Sequence, residues 1–198
     1  MKLCRIGIMG GTFDPVHLAH LIIAEEVLEK LKLDQIWFVP CHTPPHKLHK
    51  KVSPARHRLN MLNLAVKGDE RFKVSDIELR RGGVSYTVDT LKELRLTAPR
   101  CVLYLILGTD NIRYLKDWKK VGEVFKLARV VWAERPGSER RAADRWVDSA
   151  ISVGIPLLGI SSTKIRQKVR NRESITYWVP EKVRNYIVKN GLYRKQSK

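Results

Sequence analysis

The sequence predicts an α/β fold, a doubly wound and mostly parallel sheet with a small helical subdomain at the C-terminus. Three observations carry that reading. Short apolar runs alternate with longer amphipathic stretches through most of the 198 residues, the pattern of a sheet covered by helices on both faces. The first apolar run ends in a glycine pair and opens into a helix start, where folds of this class bind phosphate. From residue 160 onward the pattern is helical only, so a core over 1–159 and a C-terminal helical subdomain over 160–198 are expected.

Strands are expected from the apolar runs at 3–9, 35–39, 72–77, 102–108, 129–133 and 151–158. Helices are expected between them, at 17–32, 54–67, 86–96, 110–127, 139–149, 162–171 and 180–190. In the first helix Leu18, Leu21, Ala24, Leu28 and Leu31 keep helical spacing. Ser53-Pro54 reads as a helix start, with the serine as cap and the proline in the first turn. Asn190-Gly191 reads as a helix stop. The segment 41–52, with two prolines, three histidines and three lysines, follows a strand end and is expected to be an active-site lid.

The chain carries a formal net charge of +18. Residues 1–99 contribute +5 and residues 100–198 contribute +13. Such a field attracts polyanions, so a nucleic-acid partner has to be weighed. The sequence has no helix-turn-helix, zinc-finger or RNA-recognition signature, and no nucleic-acid partner is expected. No stretch approaches the ~20 apolar residues of a membrane span, so no membrane partner is expected either. The three scattered cysteines (Cys4, Cys41, Cys101) make no disulfide framework, and a cytoplasmic location is expected. The oligomeric state is left open, with a homo-oligomer admitted.

The chemistry concentrates at a few sites. After Gly10-Gly11-Thr12-Phe13, a turn that glycine lets approach a ligand closely, His17 and His20 are three apart and face one side of the helix start. Two imidazoles beside a phosphate-binding turn suggest chemistry on that phosphate. Zinc would need three or four converging ligands. This spacing is not the i, i+4 of a zinc helix, and no protein-held metal is expected. Ser161-Ser162-Thr163-Lys164-Ile165-Arg166 offers hydroxyls at a second helix start, with an arginine one turn in that could grip a phosphate bidentately. Pro44-Pro45-His46-Lys47 presents Lys47 as a point charge for a triphosphate. Ser85-Tyr86-Thr87 begins another helix, whose amides could hold an anion. Gly108-Thr109-Asp110 ends a strand where a carboxylate would meet ribose hydroxyls. Arg135 follows a further strand and could bind an acceptor phosphate. Trp118 offers a face for an aromatic ring.

The two phosphate signatures resemble those of the nucleotidyltransferase α/β-phosphodiesterase superfamily, with Ala19 in place of the usual glycine in the first. The intermediate blocks, Pro40–Lys47, Ser85–Leu91 and Leu107–Asn111, narrow the resemblance to the nicotinate mononucleotide adenylyltransferases, over essentially the whole chain. The resemblance implies a Rossmann-like nucleotidyltransferase fold and adenylyl transfer from ATP to nicotinate mononucleotide, giving deamido-NAD and pyrophosphate in NAD synthesis, with Mg²⁺ accompanying the ATP. His17 and His20 would act on the α-phosphate. Gly10, Gly11, Thr12, Phe13, Lys47, Gly108, Asp110, Ser162, Thr163 and Arg166 would hold ATP. Ser85, Tyr86, Thr87, Trp118 and Arg135 would hold the acceptor, with the pyridine ring against Trp118. The alternatives are the same chemistry on nicotinamide mononucleotide or phosphopantetheine, and a non-catalytic nucleic-acid-binding module.

Overall fold

The computed structural model describes residues 3–44, 52–112, 114–134 and 145–194, with the backbone only of Asp110. Lys47 and Arg135, and most of the expected lid, lie outside the described residues. Six strands, β1 (Cys4–Gly11), β2 (Gln35–Pro40), β3 (Phe72–Val74), β4 (Cys101–Gly108), β5 (Arg129–Glu134) and β6 (Ile151–Gly154), form one sheet in the order β3-β2-β1-β4-β5-β6. Every pairing is parallel. Strand order reverses between β1 and β4, and in open α/β sheets the crevice outside the strand ends at such a point binds ligand.

The helices are α1 (Leu18–Lys30), α2 (Ala55–Val66), α3 (Ile77–Arg81), α4 (Thr87–Thr97), α5 (Thr109–Ile112), α6 (Val121–Leu127), α7 (Arg145–Asp148), α8 (Ser162–Arg170) and α9 (Glu181–Lys189). Alternate strand residues feed two cores. Tyr104 and Ile106 of β4 join Val131 of β5, Phe38 of β2, Val27 of α1 and Met61 of α2 on one face. Leu103, Leu105 and Leu107 join Ile6, Ile8, Leu91, Leu94, Val130 and Trp132 on the other. Gly7 of β1 points into the first core, where a Cβ would run into the Ile36, Ile106 and Leu33 side chains. Ile165 of α8 and Val183 and Ile187 of α9 belong to that same core, so the C-terminal helices pack directly on the sheet's helical layer.

Several boundaries differ from the sequence reading. Gly10 and Gly11 are not a turn. They end β1, in register with Val39 and Pro40 of β2, because the ladder keeps them extended. The turn comes one step later, with Phe13 at φ 50° and a cis Asp14–Pro15 peptide. The run 72–77 is strand only to Val74, and Ile77 already starts α3. The expected helix over 110–127 is broken into α5, a 3₁₀ turn at Leu115–Asp117 and α6. The run 151–158 keeps its strand only to Gly154. Pro54, not Ser53, occupies the cap of α2, with no side-chain cap. The Ser53 N–H instead donates to Asp14 Oδ2 at 3.2 Å. Asn190 and Gly191 do stop α9, Gly191 at φ 59°.

Candidate active site

The ends of β1 and β4 leave room at the reversal point. A Cβ added to Gly10 or to Gly108 would meet no atom within 4 Å, so a ligand can come down onto both backbones. Beyond Gly11, Phe13 folds under the turn, 2% exposed. Its ring meets His20 edge-on at 5.0 Å, so only its backbone is placed to face a phosphate.

His17 is the cap of α1, in extended backbone just ahead of the helix, and His20 lies in the first turn. Their rings stack with centroids 3.7 Å apart and 18° between planes. The His17 backbone N–H donates to His20 Nδ1 at 3.3 Å. That bond makes Nδ1 the acceptor, so in the neutral ring the proton resides on Nε2. Desolvation first, and the neighbouring His17 second, hold His20 well below the ordinary histidine value. At neutral pH His20 is thus an uncharged donor through Nε2–H. The Leu18 amide donates to the Trp178 carbonyl at 3.0 Å, which fastens the C-terminal segment to the start of α1.

The two phosphate signatures converge. Arg166 Nη1 donates to the Asp14 carbonyl at 2.7 Å, and Arg166 Nη2 to Thr163 Oγ1 at 3.3 Å. The Ser162 hydroxyl donates to the Pro15 carbonyl at 2.8 Å, so its proton already serves the turn. Ser161 caps α8 by accepting from the Lys164 N–H at 3.3 Å. Asp14, 5% exposed, accepts from the Tyr193 hydroxyl through Oδ1 at 2.7 Å.

Arg58 is a further organiser. It is 2% exposed and donates to the carbonyls of Ser53, Thr12, Cys41 and His42, clamping the ends of β1 and β2 together. The sequence reading missed it. Its one signal is a cation on the apolar face of α2, three and four residues before Met61 and Leu62 of the core.

On the other side of the crevice, Ser85 Oγ accepts from the His42 N–H at 3.0 Å, and the Ser85 N–H donates to the Thr43 carbonyl at 2.9 Å. Beneath it is Glu78, 6% exposed, which accepts from the Thr90 hydroxyl at 2.6 Å. Burial pushes the Glu78 carboxyl up, while hydrogen bonds from Thr90 and Ser85 and the charge of Arg81 pull it back. Tyr86 caps α4 and Thr87 is its first residue. Tyr86 and Trp118, both half-buried, pack against one core. Thr109 starts α5 directly after Gly108. The structure therefore groups Gly10 through Phe13, His17, His20, Ser162, Thr163 and Arg166 about one turn, and carries Tyr86 and Trp118 on the core of the opposite sheet face.

Residues 8–168 match the cytidylyltransferase-like family model. The chain is 46% identical, over 96% of its length and 86% of the relative's, to "Probable nicotinate-nucleotide adenylyltransferase" of Geobacillus thermodenitrificans. It is 42% identical to the protein of that name from Dehalococcoides mccartyi, over 99% of this chain and all (100%) of the relative. Among solved structures, Plasmodium falciparum nicotinic acid mononucleotide adenylyltransferase complexed with NaAD superposes with a TM-score of 0.77 at 22% identity, covering 96% of this chain and 97% of that one. With the two signature-bearing helix starts joined through one turn, and relatives 46% and 42% identical over 86% and 100% of their own lengths, the chain belongs to the nicotinate-nucleotide adenylyltransferase family.

Proposed function

We propose that this chain transfers the adenylyl group of ATP to nicotinate mononucleotide. The acceptor phosphate oxygen attacks the α-phosphorus, the bond to the bridging β-oxygen breaks, and pyrophosphate leaves as deamido-NAD forms. The acceptor is itself the nucleophile, so the protein supplies positioning and charge stabilisation. The observation that carries the reading is the convergence of the two signatures, Arg166 and Ser162 bonding the Asp14–Pro15 turn just ahead of His17.

In this reading the Gly10–Thr12 backbone receives the α-phosphate, and the Nε2–H of His20, with His17 stacked on it, donates to the charge that develops there. Thr163 and Arg166 hold the β- and γ-phosphates, with Ser162 contributing through its backbone, and Lys47 joins them from the segment outside the described residues. Gly108 and Asp110 take the ATP ribose. The amides at the start of α4 take the ring substituent of the acceptor, Trp118 stacks on the ring, and Arg135 takes the acceptor phosphate.

Among the described residues no three His, Cys, Asp or Glu side chains converge on a metal position. Asp14, the carboxylate nearest the histidines in sequence, accepts from Tyr193 and Ser53. A Mg²⁺ accompanying the triphosphate would neutralise part of its charge. Among the described residues no helix is long and apolar enough to cross a membrane. The deciding test is pyrophosphate release from ATP with nicotinate mononucleotide, nicotinamide mononucleotide or phosphopantetheine. Turnover chiefly with the first supports the proposal. Turnover chiefly with either other acceptor, or oligonucleotide binding without turnover, overturns it.

A further inference from the structure

The turn that follows Trp118 brings a cation to the start of α4, the segment proposed to take the ring substituent of the acceptor. Trp118 closes the 3₁₀ turn, and Lys120, at φ 53° in the left-handed region, swings the chain into α6. Between them Lys119 lays its ammonium over the Tyr86 ring, 4.2 Å from the centroid. The same ammonium lies 3.2 Å from Asp89 Oδ2. Tyr86 caps α4, and Asp89 is in that helix's first turn.

The location sets up a conflict. The start of α4 is the positive end of a helix dipole and suits a carboxylate, but Asp89 already places a negative charge there. A second anion brought to the same turn would be repelled. The neighbouring cations Lys92 and Lys120 both pair with Glu123, at 2.7 and 3.3 Å, and Lys92 feels the charge of Asp89 only as a weaker influence behind Glu123. Lys119 is the ammonium that pairs with Asp89 while also lying over the cap residue. A carboxamide is neutral and feels little of this balance.

We propose that Lys119, by cancelling Asp89 at the start of α4, is the residue that makes the acceptor pocket favour a ring carboxylate over a ring carboxamide. This rests on the acceptor reading given above. Both partners are partly exposed, with side chains 43% and 38% accessible, so screening trims the effect. A change of about tenfold in selectivity, about 1.4 kcal/mol, is expected.

The experiment measures kcat/KM for nicotinate and nicotinamide mononucleotides in the wild type, Lys119→Met, Lys119→Arg, Asp89→Asn and the Lys119→Met/Asp89→Asn double variant. Lys119→Met should lower the acid-to-amide ratio about tenfold, the loss falling on the acid. Lys119→Arg should keep the ratio and Asp89→Asn should raise it. The double variant should return toward the wild type, a sign reversal that a merely structural role would not produce. Trp118→Ala, which removes a stacking face, should lower both acceptors alike. An unchanged ratio in Lys119→Met, or both single charge variants moving it the same way, overturns the assignment. A wild type that does not turn over nicotinate mononucleotide overturns the proposed function as well, and shows it before any variant is made.

Discussion

Arg166 donates to the main-chain carbonyl of Asp14 at 2.7 Å, across 152 residues of sequence. A guanidinium expected to hold phosphate is thus also a strut of the turn that presents the histidines. A charged donor on a carbonyl is worth about 1.5–3 kcal/mol. Arg166→Ala should therefore weaken ATP and pyrophosphate strongly, leave the acceptor's affinity largely intact, and lower the melting temperature by several degrees. Calorimetric titration and a thermal melt measure the two effects separately. Unchanged ATP affinity alongside a lowered melt would leave Arg166 a strut and remove it from the phosphate site.

His17 and His20 should serve the transition state more than ground-state binding. Each preorganised donor of this kind is worth about 10²-fold or more in kcat. Replacing either with alanine should cut kcat by that factor with little change in KM for ATP. Because the rings stack at 3.7 Å, the double variant should lose less than the product of the two single losses. Near-normal kcat in both single variants would sink the assignment.

Tyr193, near the end of the described chain, donates its hydroxyl to the buried carboxylate of Asp14 at 2.7 Å. Burial first, and then Asp14, push the phenol well above its ordinary value, so it stays protonated and keeps donating. Tyr193→Phe leaves a buried carboxylate short of a partner, at about 1.5–3 kcal/mol. The melting temperature should fall by about 2–4 °C per kcal/mol for a chain of this size. A melt indistinguishable from wild type would show that water replaces the phenol at no cost.

The sheet was legible because a parallel strand covered on both faces is a short apolar run, and all six strands fall on such runs. The histidine pair was legible because three-residue spacing at a helix start fixes a shared face. The extended Gly10 and Gly11 were not, because glycine permits a turn without requiring one and the β2 ladder decides between the two. Arg58 and Tyr193 were hidden for a different reason. Their partners are backbone carbonyls and a carboxylate 179 residues away, and no local periodicity records a contact of that range. Lys119 carries no sequence signal of its own, because the 3₁₀ break that replaces the expected continuous helix is what brings it over Tyr86.

The depressed His20 value makes folding stability depend on pH with a definite sign. In the unfolded chain an imidazole takes up its proton near pH 6.5. In the folded chain desolvation and His17 delay that protonation to well below 6.5. Below about pH 6.5 the unfolded state therefore binds more protons than the folded one, and stability falls as pH falls. The loss continues down to the folded value and is absent above about pH 7.5. His20→Asn removes the titrating ring and should flatten this limb of the curve. The measurement is the denaturant midpoint of wild type and variant at intervals from pH 8 to pH 5. The wild-type curve should drop below about pH 6.5 more steeply than the variant's, and the gap between them should be constant from pH 7.5 to pH 8. Parallel curves across the whole range would show that His20 protonates in the folded protein as readily as in the unfolded one, and would overturn the depressed value that desolvation and His17 give it.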